Sequence, residues 1–133
     1  MKEDFVSYEI AKKLKEKGFR ELCLAYYTND DTLYYNYSHK AGACYKDCYL
    51  SHNFMPKESV SGKFVDAPTI SQVLKWLREE KKLHIVIDYN NPSLWSYVIF
   101  RFGEGYINKI GEDFNSYEQA ALAGIEYVID NLI

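Results

Sequence analysis

Two histidines and two cysteines stand close together in the stretch NYSHKAGACYKDCYLSHN, residues 36–53. They are His39, Cys44, Cys48 and His52, spaced H-x4-C-x3-C-x3-H. Two thiolates and two imidazoles make a sound tetrahedral set for zinc. Structural zinc sites, however, pair a C-x2-4-C knuckle with a distant second pair of ligands, and here all four lie in one short run. Were Cys44 to His52 helical, Cys44, Cys48 and His52 would share a face, but the outer two would stand two turns apart, about 11–12 Å, too far to hold one ion together. An irregular loop would have to wrap the metal. The plainer reading is a solvated loop with two free thiols. Zinc is the alternative, and no other cofactor is implied. A thiol nucleophile would need a base and an orienting group; Cys48 with His39 or His52, and Asp47 nearby, supplies the residue types but matches no local signature.

Nothing else in the chain spells out catalysis, and the expectation leans away from an enzyme. The GEG at Gly103 to Gly105 is too short for a phosphate-cradling loop. The acid pairs Asp30-Asp31, Glu79-Glu80 and Glu112-Asp113 fall in turns or on helix surfaces. Asp88 is placed at a strand end, where it would cap the turn at Asn90-Asn91. His84 opens a strand after a lysine pair and reads as an edge residue rather than a ligand.

The aromatic signal is stronger. The chain has 13 tyrosines and is 17% aromatic; tyrosine buries large rigid area yet keeps a hydroxyl that needs a partner or water. Tyr26, Tyr27, Tyr34, Tyr35 and Tyr37 fall in one hairpin, and Trp95 and Tyr97 on another strand. Tyr27, Tyr34, Trp95 and Tyr97 are therefore the candidate contact residues for a protein partner or ligand, since such residues dominate interface hot spots. The competing reading is that cross-strand aromatic pairs simply stabilise the sheet.

The elements that would position these residues follow from periodicity and punctuation. VSYEIAKKLKEKGF predicts a helix capped by Ser7, striped by Ile10, Ala11 and Leu14, and stopped by Gly18. Alternation from Leu22 to Tyr27, the turn residues Asn29-Asp30-Asp31 and alternation from Leu33 to Tyr37 predict an antiparallel hairpin. Residues 38–67 show no period and form an insertion-like stretch, long enough that it should hold a short strand or turn of its own. APTISQVLKWLREEKKL predicts a second helix, with Thr69 and Gln72 as a capping box and Trp76 flanking its stripe. HIVIDYNNPSLWSYVIFRFGEGYINKI reads as two or three strands. In the central one Leu94, Ser96, Val98, Phe100 and Phe102 share one face; Trp95, Tyr97, Ile99 and Arg101 share the other, the face expected to carry an exposed aromatic patch. A last helix starts at Ser116, with Gln119 completing a second capping box.

The order α-β-β-α-β-β-(β)-α, with strands arriving as hairpins, predicts one α+β domain over residues 1–133: an antiparallel sheet of four to five strands with three helices packed mainly on one face. SYEIA (7–11) and SYEQA (116–120) echo each other, which shared N-cap chemistry explains more cheaply than duplication. The 133-residue length suffices for a core without staples. The three cysteines are an odd number, which fits a reduced, cytoplasmic setting. The opening Met1-Lys2-Glu3-Asp4 predicts no secretory leader, and no run approaches the ~18 apolar residues of a membrane span, so no membrane partner is expected. The net charge of −3 and the mixed-sign lysine runs argue against nucleic acid, whose binders carry a basic stripe.

FVSYEIAKKLKEKGF, APTISQVLKWLREEKKLHIVI and SYEQAALAGIEYVIDNLI together resemble a group of small uncharacterised proteins of Bacteroides-type gut bacteria and their prophages, phages and mobile elements. The resemblance covers roughly residues 5–27, 67–100 and 116–133 and leaves 38–67 out. It implies a cytosolic accessory role and transfers no catalytic residue. The expected function is a non-enzymatic binding module acting on another protein or on a second copy of itself. The alternatives are a small-molecule, nucleotide-like sequestering protein and a zinc-stabilised domain.

Overall fold

The computed structural model describes residues 4–28, 31–35, 64–90, 94–109 and 112–133. Contacts divide the chain into two compact units, Met1–Thr69 and Ile70–Ile133. Among the described residues the architecture is α+β, with antiparallel sheets and three α-helices.

In the first unit, helix α1 spans Tyr8–Glu16. Ser7 is extended, and its Oγ accepts the Ile10 N–H at 3.3 Å, satisfying one of the orphan donors of the first turn. Ile10, Ala11 and Leu14 are buried, the stripe their spacing predicts. Gly18 ends the helix at φ 94, where a side chain would be strained, and the Phe19 N–H returns to the Leu14 carbonyl at 3.0 Å. Strands β1 (Ala25–Thr28), β2 (Leu33–Tyr35) and β3 (Phe64–Ala67) form a sheet in the order β2-β1-β3, both pairings antiparallel. The expected alternation from Leu22 becomes strand only at Ala25. The ladder with β3 reaches Ala25↔Ala67, and the next residue, Pro68, has no N–H to donate. Beyond it the chain pairs elsewhere: the Val6 N–H donates to the Pro68 carbonyl at 3.0 Å, and Phe5 bridges Thr69.

In the second unit, helix α2 (Ile70–Glu80) buries Ile70, Val73, Leu74, Trp76 and Leu77. Each such side chain is worth roughly 1.5–3 kcal/mol of burial. Trp76 is core rather than flank, with the Lys81 ammonium 5.3 Å from its ring centroid. Lys82, at φ 59, turns the chain into the sheet, and its Nζ donates to the Glu79 carbonyl at 2.9 Å. Strands β4 (Leu83–Asn90), β5 (Leu94–Arg101) and β6 (Gly105–Lys109) form an antiparallel meander in the order β4-β5-β6, with a register shift between Ile99 and Phe100. Helix α3 (Tyr117–Asn131) starts at Ser116, whose Oγ accepts the Gln119 N–H at 3.1 Å. The Gln119 side chain reaches back one residue further than a capping box requires, accepting the Asn115 N–H at 3.1 Å.

Among the described residues, two three-stranded sheets therefore stand where one sheet of four to five strands was expected. The difference is β3: it pairs with β1 across a long sequence gap, a partnership that local alternation does not announce. Strand β3 falls at the end of 38–67, the stretch expected to hold a short strand or turn. Ser7 and Ser116 are both N-caps, which accounts for the SYEIA/SYEQA echo. The two sheets do not repeat each other, since the first strand is central in one and the second strand in the other.

Candidate functional site: an aromatic rim on the second sheet

The four candidate contact residues fall in different surroundings. Tyr27 is 2% exposed; its ring meets Tyr8 edge-on at 5.6 Å and its hydroxyl donates to the Val6 carbonyl at 2.7 Å. Tyr34 is 46% exposed. The register pairs it with Tyr26 across β1 and β2, and their rings stack at 5.7 Å. Adjacent residues on a strand point to opposite faces, so Tyr27 and Tyr34 do not share a surface. The Tyr26–Tyr34 stack is the cross-strand pair that stabilises a sheet. Burial, and secondarily the Tyr34 phenol, raise the Tyr26 pKa above the ordinary tyrosine value.

On the second sheet, Ile85 lies opposite Ile99, Ile87 opposite Tyr97, and Tyr89 opposite Trp95, so these six share one face. The middle of that face, expected to be an exposed aromatic patch, is instead interior. Tyr97 is 4% exposed and Ile99 is fully buried. The reason is Gly124 on α3: a Cβ there would stand 3.1 Å from Ile85 Cγ2 and 3.1 Å from Tyr97 Cγ. The missing side chain lets the helix close onto the sheet. Burial, followed by the Tyr127 phenol, raises the Tyr97 pKa.

The hairpin end of this face emerges. Tyr89 is 60% and Tyr117 39% exposed. Between them stands the half-buried Trp95, its ring edge-to-face with Tyr89 at 5.0 Å and with Tyr117 at 5.7 Å, the latter nearly perpendicular at 87°. The rim is held by backbone. Trp95 and Phe114 exchange two hydrogen bonds, at 2.8 and 2.9 Å, and the Phe114 ring lies 6.0 Å from Tyr97. Tyr117 is the first residue of α3, so the cap at Ser116 sets where its ring can stand. Trp95 was legible as a contact residue. Tyr89 and Tyr117 were not singled out, although Tyr117 lies inside the capping sequence and Tyr89 directly precedes the Asn-Asn-Pro turn. What the rim offers chemically is rigid aromatic area and phenolic hydroxyls.

His39, Cys44, Cys48 and His52 lie outside the described residues, and with them the proposed zinc and thiol chemistry. Among the described residues no group of histidine, cysteine, aspartate and glutamate is arranged to hold a metal ion. Cys23 is buried, its Sγ donating to the Glu21 carbonyl at 3.4 Å. His84 sits on β4, an edge strand of its sheet, as expected. Its ring stacks on Phe102 at 6.2 Å, and its Nδ1 is buried without a hydrogen-bond partner among the described residues. Asp88 is exposed on β4, on the sheet face opposite Tyr89. No helix among the described residues is long and apolar enough to cross a membrane. No family model matches the chain, and no curated protein or solved structure matches it either.

Proposed function

We propose that this chain is a non-enzymatic binding module of the cytosol, of the accessory kind that the resemblance to mobile-element proteins implies, and that it contacts a protein partner through the Tyr89–Trp95–Tyr117 rim. The observation that carries the reading is a row of three rings on a strand-and-helix frame, Trp95 packed edge-to-face between Tyr89 and Tyr117, both of which are exposed. Solvated large aromatics cost free energy in isolation. Tyrosine and tryptophan that are already fixed in place lose little conformational freedom on binding, which is why they concentrate in hot spots.

The test compares the wild-type chain with the Tyr89→Ala, Tyr117→Ala double variant. Each is immobilised for capture from host lysate, and each is measured for mass in solution by light scattering across a concentration series. The expected outcome is a stoichiometric partner, or a concentration-dependent oligomer, seen with wild type and lost in the double variant while that variant still melts cooperatively. Wild type that stays monomeric and retains nothing the variant does not also retain sinks the reading.

A further inference from the structure

Given the binding-module reading on which it rests, we infer that the rim receives a cationic side chain, and that its occupant is an arginine-bearing segment of the partner protein. The chain uses its own cations on aromatic faces elsewhere: the Lys12 ammonium lies 4.4 Å from the Tyr8 centroid and Lys81 lies 5.3 Å from that of Trp76. The stretches that build the rim supply none. Residues 83–100 and 112–133 contain no lysine or arginine. What they supply is carboxylate. Asp113 precedes the Phe114 that is bridged to Trp95, and Glu118 follows Tyr117.

A cation over an aromatic face is attracted by the negative face of the ring, most strongly over tryptophan. Nearby carboxylates add to the pull within a Debye length. One feature opposes it: the N-terminus of α3 presents about half a positive charge. The full charges of Asp113 and Glu118 outweigh that half charge, and Glu118 lies in the first turn itself. The same carboxylates argue against an anion at this helix end. The terminus is also partly spoken for, with the Gln119 N–H given to Ser116 and the Asn115 N–H to Gln119. Arginine fits better than lysine because its planar, weakly hydrated guanidinium stacks on aromatic faces and can fork onto a carboxylate at the same time.

The probe is an amidated peptide of alternating glycine and arginine, titrated into the 15N-labelled full chain. The readout is the indole N–H resonance of Trp95, assigned with Trp95→Phe. The buried Trp76 indole is the internal control. Peptides with glutamine or glutamate in place of arginine are the comparison. The arginine peptide should shift the Trp95 resonance saturably and leave Trp76 still. Its affinity should fall as salt rises from about 0.01 to about 1 M, which shortens screening from ~30 to ~3 Å. Tyr89→Ala should weaken it about two- to fivefold; Tyr89→Phe should hold it; Asp113→Asn with Glu118→Gln should lower it and flatten the salt dependence. An arginine peptide that moves Trp95 no more than the glutamine peptide, or whose shift ignores Tyr89→Ala, overturns the inference. If partner capture still depends on Tyr89 and Tyr117 in that case, the binding-module reading survives without its cationic occupant.

Discussion

In the β2-β1-β3 sheet, Tyr27 turns its ring inward against Tyr8 and spends its hydroxyl on the Val6 carbonyl. In the β4-β5-β6 sheet, Tyr89 packs on Trp95 and carries most of its surface into solvent. Both are strand tyrosines with an aromatic neighbour, and what separates them is cover. Tyr27 lies on a four-residue strand and has the Val6 backbone above its hydroxyl. Tyr89 lies near the end of an eight-residue strand. Helix α3 meets the sheet at Gly124 and begins at Tyr117, seven residues or roughly 10 Å earlier along its axis, so the strand pair reaches an end where the helix no longer continues. The same residue type thus serves cohesion in one sheet and is left available in the other.

Truncation should separate the two uses most clearly. Tyr27→Ala is expected to cost about 3–5 kcal/mol, as for other large aromatic side chains removed from a core. Tyr89→Ala, which gives up one exposed cross-strand pair, should cost no more than about 1 kcal/mol. Urea denaturation of the two variants measures both; similar costs would erase the distinction. A smaller effect tests what hides the middle of the second sheet. Gly124→Val should destabilise by about 1–3 kcal/mol through overpacking against Ile85 and Tyr97. Gly124→Ala should cost less, because helix propensity returns up to ~1 kcal/mol. If Gly124→Val proves neutral in the same denaturation assay, the close approach of α3 is not what covers Tyr97.

The gentlest test uses one tyrosine from each sheet. Burial is the leading cause of the raised pKa at both Tyr26 and Tyr97, so the folded chain favours the neutral phenol. That contribution is fully present below the ordinary tyrosine value of about 10 and is lost as pH rises through the higher folded values. Melting temperature should therefore fall above about pH 10, and substituting either tyrosine by phenylalanine should soften the decline. Absorbance titration should show the phenols of Tyr26 and Tyr97 ionising above the ordinary tyrosine value. A titration unchanged by Tyr26→Phe and Tyr97→Phe on its high-pH side would remove that effect of cover.

How much of this was legible in the sequence depended on how local the determining physics is. Ser7 and Ser116 announced their helices because a cap is satisfied within three residues. The sharing of one face by Trp95, Tyr97 and Ile99 followed from the two-residue period of a strand. Which face would be covered did not follow, because the deciding residue, Gly124, lies on a helix far along the chain and acts by having no side chain. The β1–β3 partnership was hidden for a similar reason. Phe64 to Ala67 is too short for its alternation to stand out, and its partner is Ala25 to Thr28. The rim was half legible: Trp95 declared itself by type, whereas Tyr117 looked like part of a cap, which it also is.

The placing of β1 at the centre of its sheet has a consequence in time. Its pairing with β2 joins Tyr27 to Leu33 across a tight turn, a contact of the kind that forms in microseconds. Its pairing with β3 joins Thr28 to Phe64 and requires a far longer closure before any ladder bond repays it. The first unit should therefore assemble its hairpin early and dock β3 late.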